Sequence, residues 1–205
     1  MGTAQRQNGE HTELIPMVAS NSQARVHATL IGSRSNGPGR RNVVWFQGCK
    51  RSCPGCFNPE THPREVGEVL PVHHLACLLL EGAPDGVSIS GGEPLEQPEP
   101  LLALVEELRE RAPDLSLLVY TGYTLSEVRG IRHGRAILEH LDILMAGPYL
   151  QSLSLGKGLL GSSNQRVHLL SLRHKPGDLE GLPSTEVILR RDGSITVTGI
   201  APLAL

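Results

Sequence analysis

The chain has 205 residues, enough for one domain and a tail but not for two domains of ordinary size. Its 19 basic and 21 acidic side chains leave a formal net charge of −2, which argues against a non-specific nucleic-acid binder or a membrane-surface protein. Aromatic residues make up only 3%, so the core must be aliphatic, yet the longest unbroken apolar run, Leu75 to Leu80, is far too short to span a bilayer.

Residues 1–24 are rich in Gln, Asn, Ser, Thr and Gly, carry no signal-peptide pattern and show no periodicity. They are expected to be a disordered N-terminal extension of a cytoplasmic protein. A core domain is expected over 25–180. Within it, Val26–Ile31 and Val43–Gln47 read as strands, parted by a loop, Gly32–Asn42, too rich in Gly, Pro and Arg to extend either. Segment 48–63 is a loop punctuated by Pro54, Pro59 and Pro63. Val72–Glu81 reads as a short apolar helix with Pro71 at its first turn, and Cys77 within it as a small buried hydrophobe. The pair His73-His74 at its start is most simply half-exposed.

Val87–Ser90 reads as a strand and Glu99–Arg111 as an amphipathic helix, with Leu101, Leu104, Val105 and Leu108 on one face. Leu115–Tyr120 is a buried strand. Thr124 followed by Glu127 is a capping box for a short helix. Ala136–His140 is helical, and Asp142–Ala146 and Val167–Leu172 are strands. Alternation of strand and helix favours a parallel sheet with helices outside. Residues 181–205 form an extension in which Glu186–Arg191 and Ser194–Gly199 alternate in polarity around Asp192-Gly193, the signature of a two-residue type I′ hairpin.

Three of the four cysteines, Cys49, Cys53 and Cys56, fall in one C-x3-C-x2-C run, a pattern of a cofactor site and not of a disulfide framework. Three thiolates can hold three corners of a four-iron cluster and leave the last iron open to a small molecule. The alternative on these residues is a structural zinc ion with His62 as fourth ligand.

Around this run stand Asn36-Gly37-Pro38-Gly39-Arg40 and Phe46-Gln47-Gly48 before it, and Phe57-Asn58 directly after. Further on come Ser90-Gly91-Gly92-Glu93-Pro94, Tyr120-Thr121-Gly122-Tyr123, Asp142-Ile143-Leu144 and Gly161-Ser162-Ser163-Asn164-Gln165-Arg166. In this order, over about residues 26–170, the chain resembles the radical S-adenosylmethionine activating enzymes. The likeness is nearest to the activases of anaerobic ribonucleotide reductase and more distant to those of pyruvate formate-lyase.

The resemblance implies a partial parallel (β/α)6-type radical SAM barrel, here with the C-terminal β-hairpin appended. It implies that Cys49, Cys53 and Cys56 ligate a 4Fe-4S cluster whose open iron is chelated by S-adenosylmethionine. The reduced cluster then cleaves that cofactor to methionine and a 5′-deoxyadenosyl radical. Ser90, Gly91, Gly92, Glu93 and Pro94 would bind the methionine amino group. The hydroxyls of Thr121 and Tyr123 would reach the ribose or the substrate, or else form a turn on the sheet edge. Asn164 would touch cofactor or substrate, and Arg40 the carboxylate or a partner. No side chain is assigned a catalytic role of its own.

Implied partners are a reductant of flavodoxin or ferredoxin type and a large glycyl-radical enzyme; the rival is a stand-alone tailoring enzyme acting on a peptide or small molecule. One departure stands out. Ala146 occupies a position where the activases carry Asp, which removes a carboxylate that can support a cation there.

Overall fold

The computed structural model describes residues 22–200. Its first strand, β1 (Gln23–Ser33), pairs antiparallel on one side with β2 (Arg41–Phe46) and on the other with β3 (Glu68–Pro71). After α1 (Val72–Leu79) the chain enters β4 (Gly86–Gly91), parallel to β2. Then follow α2 (Pro98–Arg111), β5 (Ser116–Thr121), α3 (Leu125–Gly130), α4 (Gly134–His140) and β6 (Ile143–Ala146), with β4, β5 and β6 parallel neighbours. A small ribbon, β7 (Ser154–Lys157) and β8 (Leu160–Ser162), precedes β9 (Arg166–Leu169), which runs antiparallel to β6. The result is one seven-stranded sheet in the order β3-β1-β2-β4-β5-β6-β9.

This corrects the expected (β/α)6-type barrel: the sheet is open and mixed. A parallel neighbour needs a crossover of a dozen or more residues, usually a helix. Between β1 and β2 there is only the loop 34–40, and between β6 and β9 the chain forms the β7–β8 ribbon instead of an α-helix. Both flanks therefore return antiparallel. Four parallel strands remain in the middle, and nothing brings the two edges together.

Alternation along the strands sorts side chains between two layers. Val44, Phe46, Val87, Ile89, Leu117, Val119 and Leu144 pack against Leu75, Leu79, Leu101, Leu104, Leu108 and Ile137 of the helices. The intervening Leu118, Ile143 and Met145 face the other way and meet Leu159 beneath the β7–β8 ribbon. In α1 the buried positions are Val72, Leu75, Ala76 and Leu79, a helical stripe that leaves Cys77 outside it. Cys77 is thus exposed, not buried as its apolar neighbours suggested, and its Sγ accepts from Arg111 Nη1 at 3.2 Å. The capping box is present as read: Thr124 Oγ1 accepts from the Glu127 amide, and Glu127 accepts from the Thr124 amide at 2.7 Å.

Strands β3, β7 and β8 escape a sequence reading because they are short; β3 is an edge strand ending in proline with little buried surface. Residues 1–21 of the expected extension lie outside the described residues. Gln23 and Ala24, read as part of that extension, belong to β1, paired with Pro71 and Leu70. Among the described residues no helix is long and apolar enough to cross a membrane.

The C-terminal strands β10 (Thr185–Leu189) and β11 (Ile195–Gly199) form a separate antiparallel ribbon. Its turn differs from type I′. Only Gly193 has positive φ, at 85°, and the Arg190 amide bonds to the Ser194 carbonyl at 2.9 Å, so three residues make the loop, with glycine at the left-handed position. The ribbon's polarity is inverted. Val187, Leu189, Ile195 and Val197 are exposed on one face, while Glu186 and Thr198 point inward. Glu186 Oε2 accepts from Ser33 Oγ and the Arg34 amide, and Asn36 Nδ2 donates to Thr198 Oγ1 at 2.9 Å.

Arg41 stitches the loop 34–40 to the sheet. Its fully buried guanidinium donates to Pro38 O, Val87 O, Ser116 O and the hydroxyls of Ser88 and Ser116, at 2.7–3.1 Å. All five acceptors are neutral, and burial lowers its pKa to about 10. Arg41→Met would leave those buried acceptors without a donor. It is expected to lower unfolding free energy by roughly 2–4 kcal/mol, read as a fall in urea midpoint at unchanged slope.

Candidate functional site

Ligand sites in open α/β sheets lie beyond the carboxyl ends of parallel strands. There the loops after β2, β4, β5 and β6 surround a cleft that opens to solvent.

The loop after β2 carries the cysteines, and buried polar groups fix its two ends. The side chain of Gln47 donates to the carbonyls of Glu60 and Pro63 and meets His27 Nδ1 at 3.0 Å. The amides of Gly48 and Cys49 donate to Thr61 O and His62 O, at 2.7 and 3.0 Å. Lys50 N donates to Glu96, whose other oxygen pairs with Arg64.

Cys49, Cys53 and Cys56 are all half-buried and all line the cleft. Burial raises the pKa of the Cys56 thiol, with Cys53 and Cys49 beside it adding to the rise. Among the described residues no three His, Cys, Asp or Glu side chains gather as a single metal ion requires. A cubane is ligated at separate corners, and the three thiols facing one cavity fit it.

Strand β4 brings the glycine segment alongside this loop. Ser90 and Gly91 register with Trp45 and Phe46, and the amides of Gly92 and Glu93 donate to Phe46 O and Gly48 O. The approach is too close for side chains. A Cβ on Gly91, whose φ is +115°, would strike the backbone of Phe46, and one on Gly92 would press on Gly48 O and lie 2.9 Å from Thr61 O. Both amides are thus spent inward, holding the segment against the cysteine loop. Ser90, Gly91, Gly92 and Glu93 line the cleft, with Pro94 buried behind them.

Glu93 is buried and joins this segment to β5. Its carboxylate accepts from Leu95 N at 3.1 Å, Thr121 Oγ1 at 2.8 Å and Gly122 N at 2.8 Å. Thr121 therefore stands at the cleft with its hydroxyl committed to Glu93, while also accepting from Tyr123 N. Tyr123 packs against the helix-side core with its ring beneath the Arg51 guanidinium, 4.7 Å from the centroid. Asn164 donates to Pro148 O at 2.8 Å, and its buried Oδ1 has no partner. Its neighbour Gln165 bridges Gly147 O to the amides of Gly161 and Ser162.

Arg40 is not in the cleft. It lies at the opposite end of the sheet, bonded to the carbonyls of Gly82 and Ala83 and, through its amide, to Asp85. Ala146 is buried in the helix-side core, so no carboxylate stands at that position.

Of the cleft residues outside the sequence-predicted set, two carry buried polar atoms without a partner. Tyr120 presents a buried hydroxyl with no partner, and burial pushes its pKa well above the usual phenol range. Strand alternation would have found it, since Tyr120 and not Thr121 shares a face with Leu118 and Met145. Arg51 lines the cleft with a buried, unpartnered Nε; its one sequence signal is its place between two of the cysteines.

Comparison with known proteins agrees with this geometry. The family model described as a 4Fe-4S single cluster domain matches residues 35–168, ending before the β10–β11 ribbon. The anaerobic ribonucleoside-triphosphate reductase-activating protein of Enterobacteria phage T4 is 31% identical over 137 residues, covering 64% of this chain and 85% of that protein. The proteins of the same description from Vibrio cholerae and Escherichia coli K12 are 30% and 32% identical. They cover 67% and 66% of this chain and 92% of their own length.

Burial, only partly offset by three hydrogen bonds, raises the Glu93 pKa from 4.5 to about 7. Between those values the folded chain holds a proton that the unfolded chain has released. The Glu93 contribution to stability is therefore full below about 4.5 and lost as pH rises through about 7. Cofactor-free protein is expected to lose up to about 3 kcal/mol from this group between about pH 5 and about pH 8. Glu93→Gln should lack that slope in thermal melts across the range; a wild-type profile as flat as the variant's refutes the assignment.

Proposed function

The chain belongs to the 4Fe-4S single cluster domain family, together with the anaerobic ribonucleoside-triphosphate reductase-activating proteins, and from that premise we propose that it is a radical S-adenosylmethionine activase. Its product is a glycyl radical on a large partner enzyme such as an anaerobic ribonucleotide reductase. The observation that carries this reading is the disposition of the cysteines. Three thiols of one loop share a cleft with the Gly91-Gly92 carbonyl segment, while the fourth, Cys77, is exposed on α1 and outside that cleft. The thiolate set is short by one ligand where a small molecule has room to bind.

Cys49, Cys53 and Cys56 would hold the 4Fe-4S cluster, which would supply the single electron for reductive cleavage of S-adenosylmethionine. The protein's task is to bind, orient and exclude water. The Ser90–Gly92 segment receives the methionine amino group. Tyr120, Trp45 and Met145 line the cleft as a wall for the adenosine half, and the unpartnered Tyr120 hydroxyl offers it a hydrogen bond.

Thr121, Tyr123 and Asn164 act at one remove: Thr121 steadies Glu93, Tyr123 carries Arg51, and Asn164 holds Pro148. The polar donors and acceptors of the wall are fixed before a ligand arrives, which spares the cost of ordering them later. The electron comes from a reductant of flavodoxin or ferredoxin type, and the reaction belongs in the cytoplasm.

Anaerobically purified protein is expected to be brown with broad visible absorbance, to retain it in Cys77→Ala and to lose it in Cys53→Ala. Reduced wild-type protein with S-adenosylmethionine should release 5′-deoxyadenosine. With an anaerobic ribonucleotide reductase added, a glycyl-radical resonance should appear. A colourless protein, or a Cys77→Ala variant that loses the cluster while Cys53→Ala keeps it, refutes the ligand assignment. 5′-Deoxyadenosine release without any protein radical across such partners favours a tailoring enzyme instead.

A further inference from the structure

Exposed aliphatic side chains gather on the two elements that close the open side of the cleft. The Tyr149–Gln165 stretch carries Leu150, Leu153 and Leu155, each more than two-fifths exposed. The β10–β11 ribbon carries the opposed pairs Val187–Val197 and Leu189–Ile195 on its outer face, with Leu189 at 73% and Ile195 at 63% exposure. Both elements are tied to the cleft. The Leu150 amide donates to Ser162 Oγ, the Ser163 amide donates to Leu153 O, and a Cβ on Gly55 of the cysteine loop would stand 2.8 Å from Gln151 Cδ. Strand β11 ends at Gly199 and leads to Ile200, and both line the cleft.

Charge on these elements is also one-sided. Over 149–166 and 185–199 the exposed cations Lys157, Arg166, Arg190 and Arg191 stand against Glu186 and Asp192. Both carboxylates are turned onto backbone amides, Glu186 on Arg34 and Asp192 on Ser194, with Arg190 beside Asp192. The two edges thus present aliphatic surface with an excess of positive charge.

Size constrains what covers them. Burying one aliphatic side chain removes at most about 120 Å² from water, so the four on the ribbon offer under about 500 Å². A stable interface takes about 800 Å² per partner. A second copy stacked ribbon on ribbon falls short of that, whereas a body spanning the cleft mouth gains the leucine edge as well.

We propose that the outer face of the β10–β11 ribbon, together with the Leu150–Leu155 edge, is the docking surface for the protein that carries the substrate glycine. The docked segment is apolar with an acidic excess. The assignment rests on the glycyl-radical reading above and supplies what that reading leaves open, the means of bringing a glycine of another chain to the cleft. Glycine has no side chain to grip, so binding energy must come from surface remote from the reacting atom. The family match ends at residue 168, so the ribbon face lies outside the part shared with the cluster-domain family. A partner-selecting surface is thereby separated from the cleft that does the chemistry.

The test is sedimentation velocity of the full chain with the anaerobic ribonucleotide reductase encoded in the same genome. Beside it, anaerobic assays follow cluster absorbance and 5′-deoxyadenosine release without reductase. The variants are Leu189→Ser/Ile195→Ser, Leu155→Ser and Arg191→Glu, all at exposed positions on which little folding energy rests. The double variant is expected to bind reductase at least about tenfold more weakly than wild type. Leu155→Ser and Arg191→Glu should each weaken binding about three- to tenfold. Wild-type binding should fall as salt rises from about 0.05 to about 0.5 M. Cluster absorbance and 5′-deoxyadenosine release should stay within about twofold of wild type in every variant.

Reductase binding unchanged in the double variant overturns the docking surface and leaves the activase reading standing. A fall in 5′-deoxyadenosine release that matches the fall in binding also overturns it, since the ribbon is then a wall of the cleft. So does wild-type protein that sediments alone as a dimer while the double variant is a monomer, which gives the face to a second copy. Wild-type protein that releases 5′-deoxyadenosine but binds no reductase overturns the glycyl-radical reading and the docking surface with it. Ribbon-dependent binding of reductase without any 5′-deoxyadenosine release upholds the surface and overturns the cofactor reading.

Discussion

The site is organised around one buried carboxyl group at the wall of the cleft. Glu93 follows directly on the two glycines, donates its amide to Gly48 beside the first cysteine, and spends its side chain on Leu95, Thr121 and Gly122. One residue thus sets the spacing between the cysteine loop, the end of β4 and the end of β5. The arrangement is expensive, since a buried carboxylate loses its hydration and three neutral donors return only part of it. The rest of the cleft inherits this spacing. The carbonyl edge at Ser90–Gly92 is held by the same segment, and Arg51 lies across Gly122 because Glu93 has drawn that amide inward.

The open sheet gives this joint its setting. Parallel strands end together, so four loops meet at one edge. The antiparallel flanks leave one side of the cleft to be closed by other parts of the chain. The Tyr149–Gln165 stretch, with Gly199 at the end of β11 and Ile200 after it, supplies that side.

The chemistry of the chain was legible where it is local. The C-x3-C-x2-C run, the glycines that must accept a close backbone and the Thr124–Glu127 capping box are each written in a few adjacent residues, and the structure shows the reason for each. Sheet closure was not legible, because it depends on what fills a connection. Nothing in Gly147–Gln165 announces a two-stranded ribbon in place of a crossover helix. Cys77 misled because composition was weighed over phase: an apolar run six residues long still has an outer face. Thr121 lines the cleft with its hydroxyl turned to Glu93, Tyr123 is not among the lining residues, and the pleat adds Tyr120. The turn at Asp192-Gly193 shows the same limit, since a dipeptide common to two loop types does not fix the loop length.

The inverted ribbon of β10 and β11 joins the body through Glu186, Thr198 and Asn36, with its valines, leucine and isoleucine turned outward. Its attachment is therefore directional and polar, not a matter of burying oil. Lifting the ribbon away would bare little apolar surface, so the motion carries a small heat-capacity change and little sensitivity to urea. Denaturant would leave that seam largely indifferent.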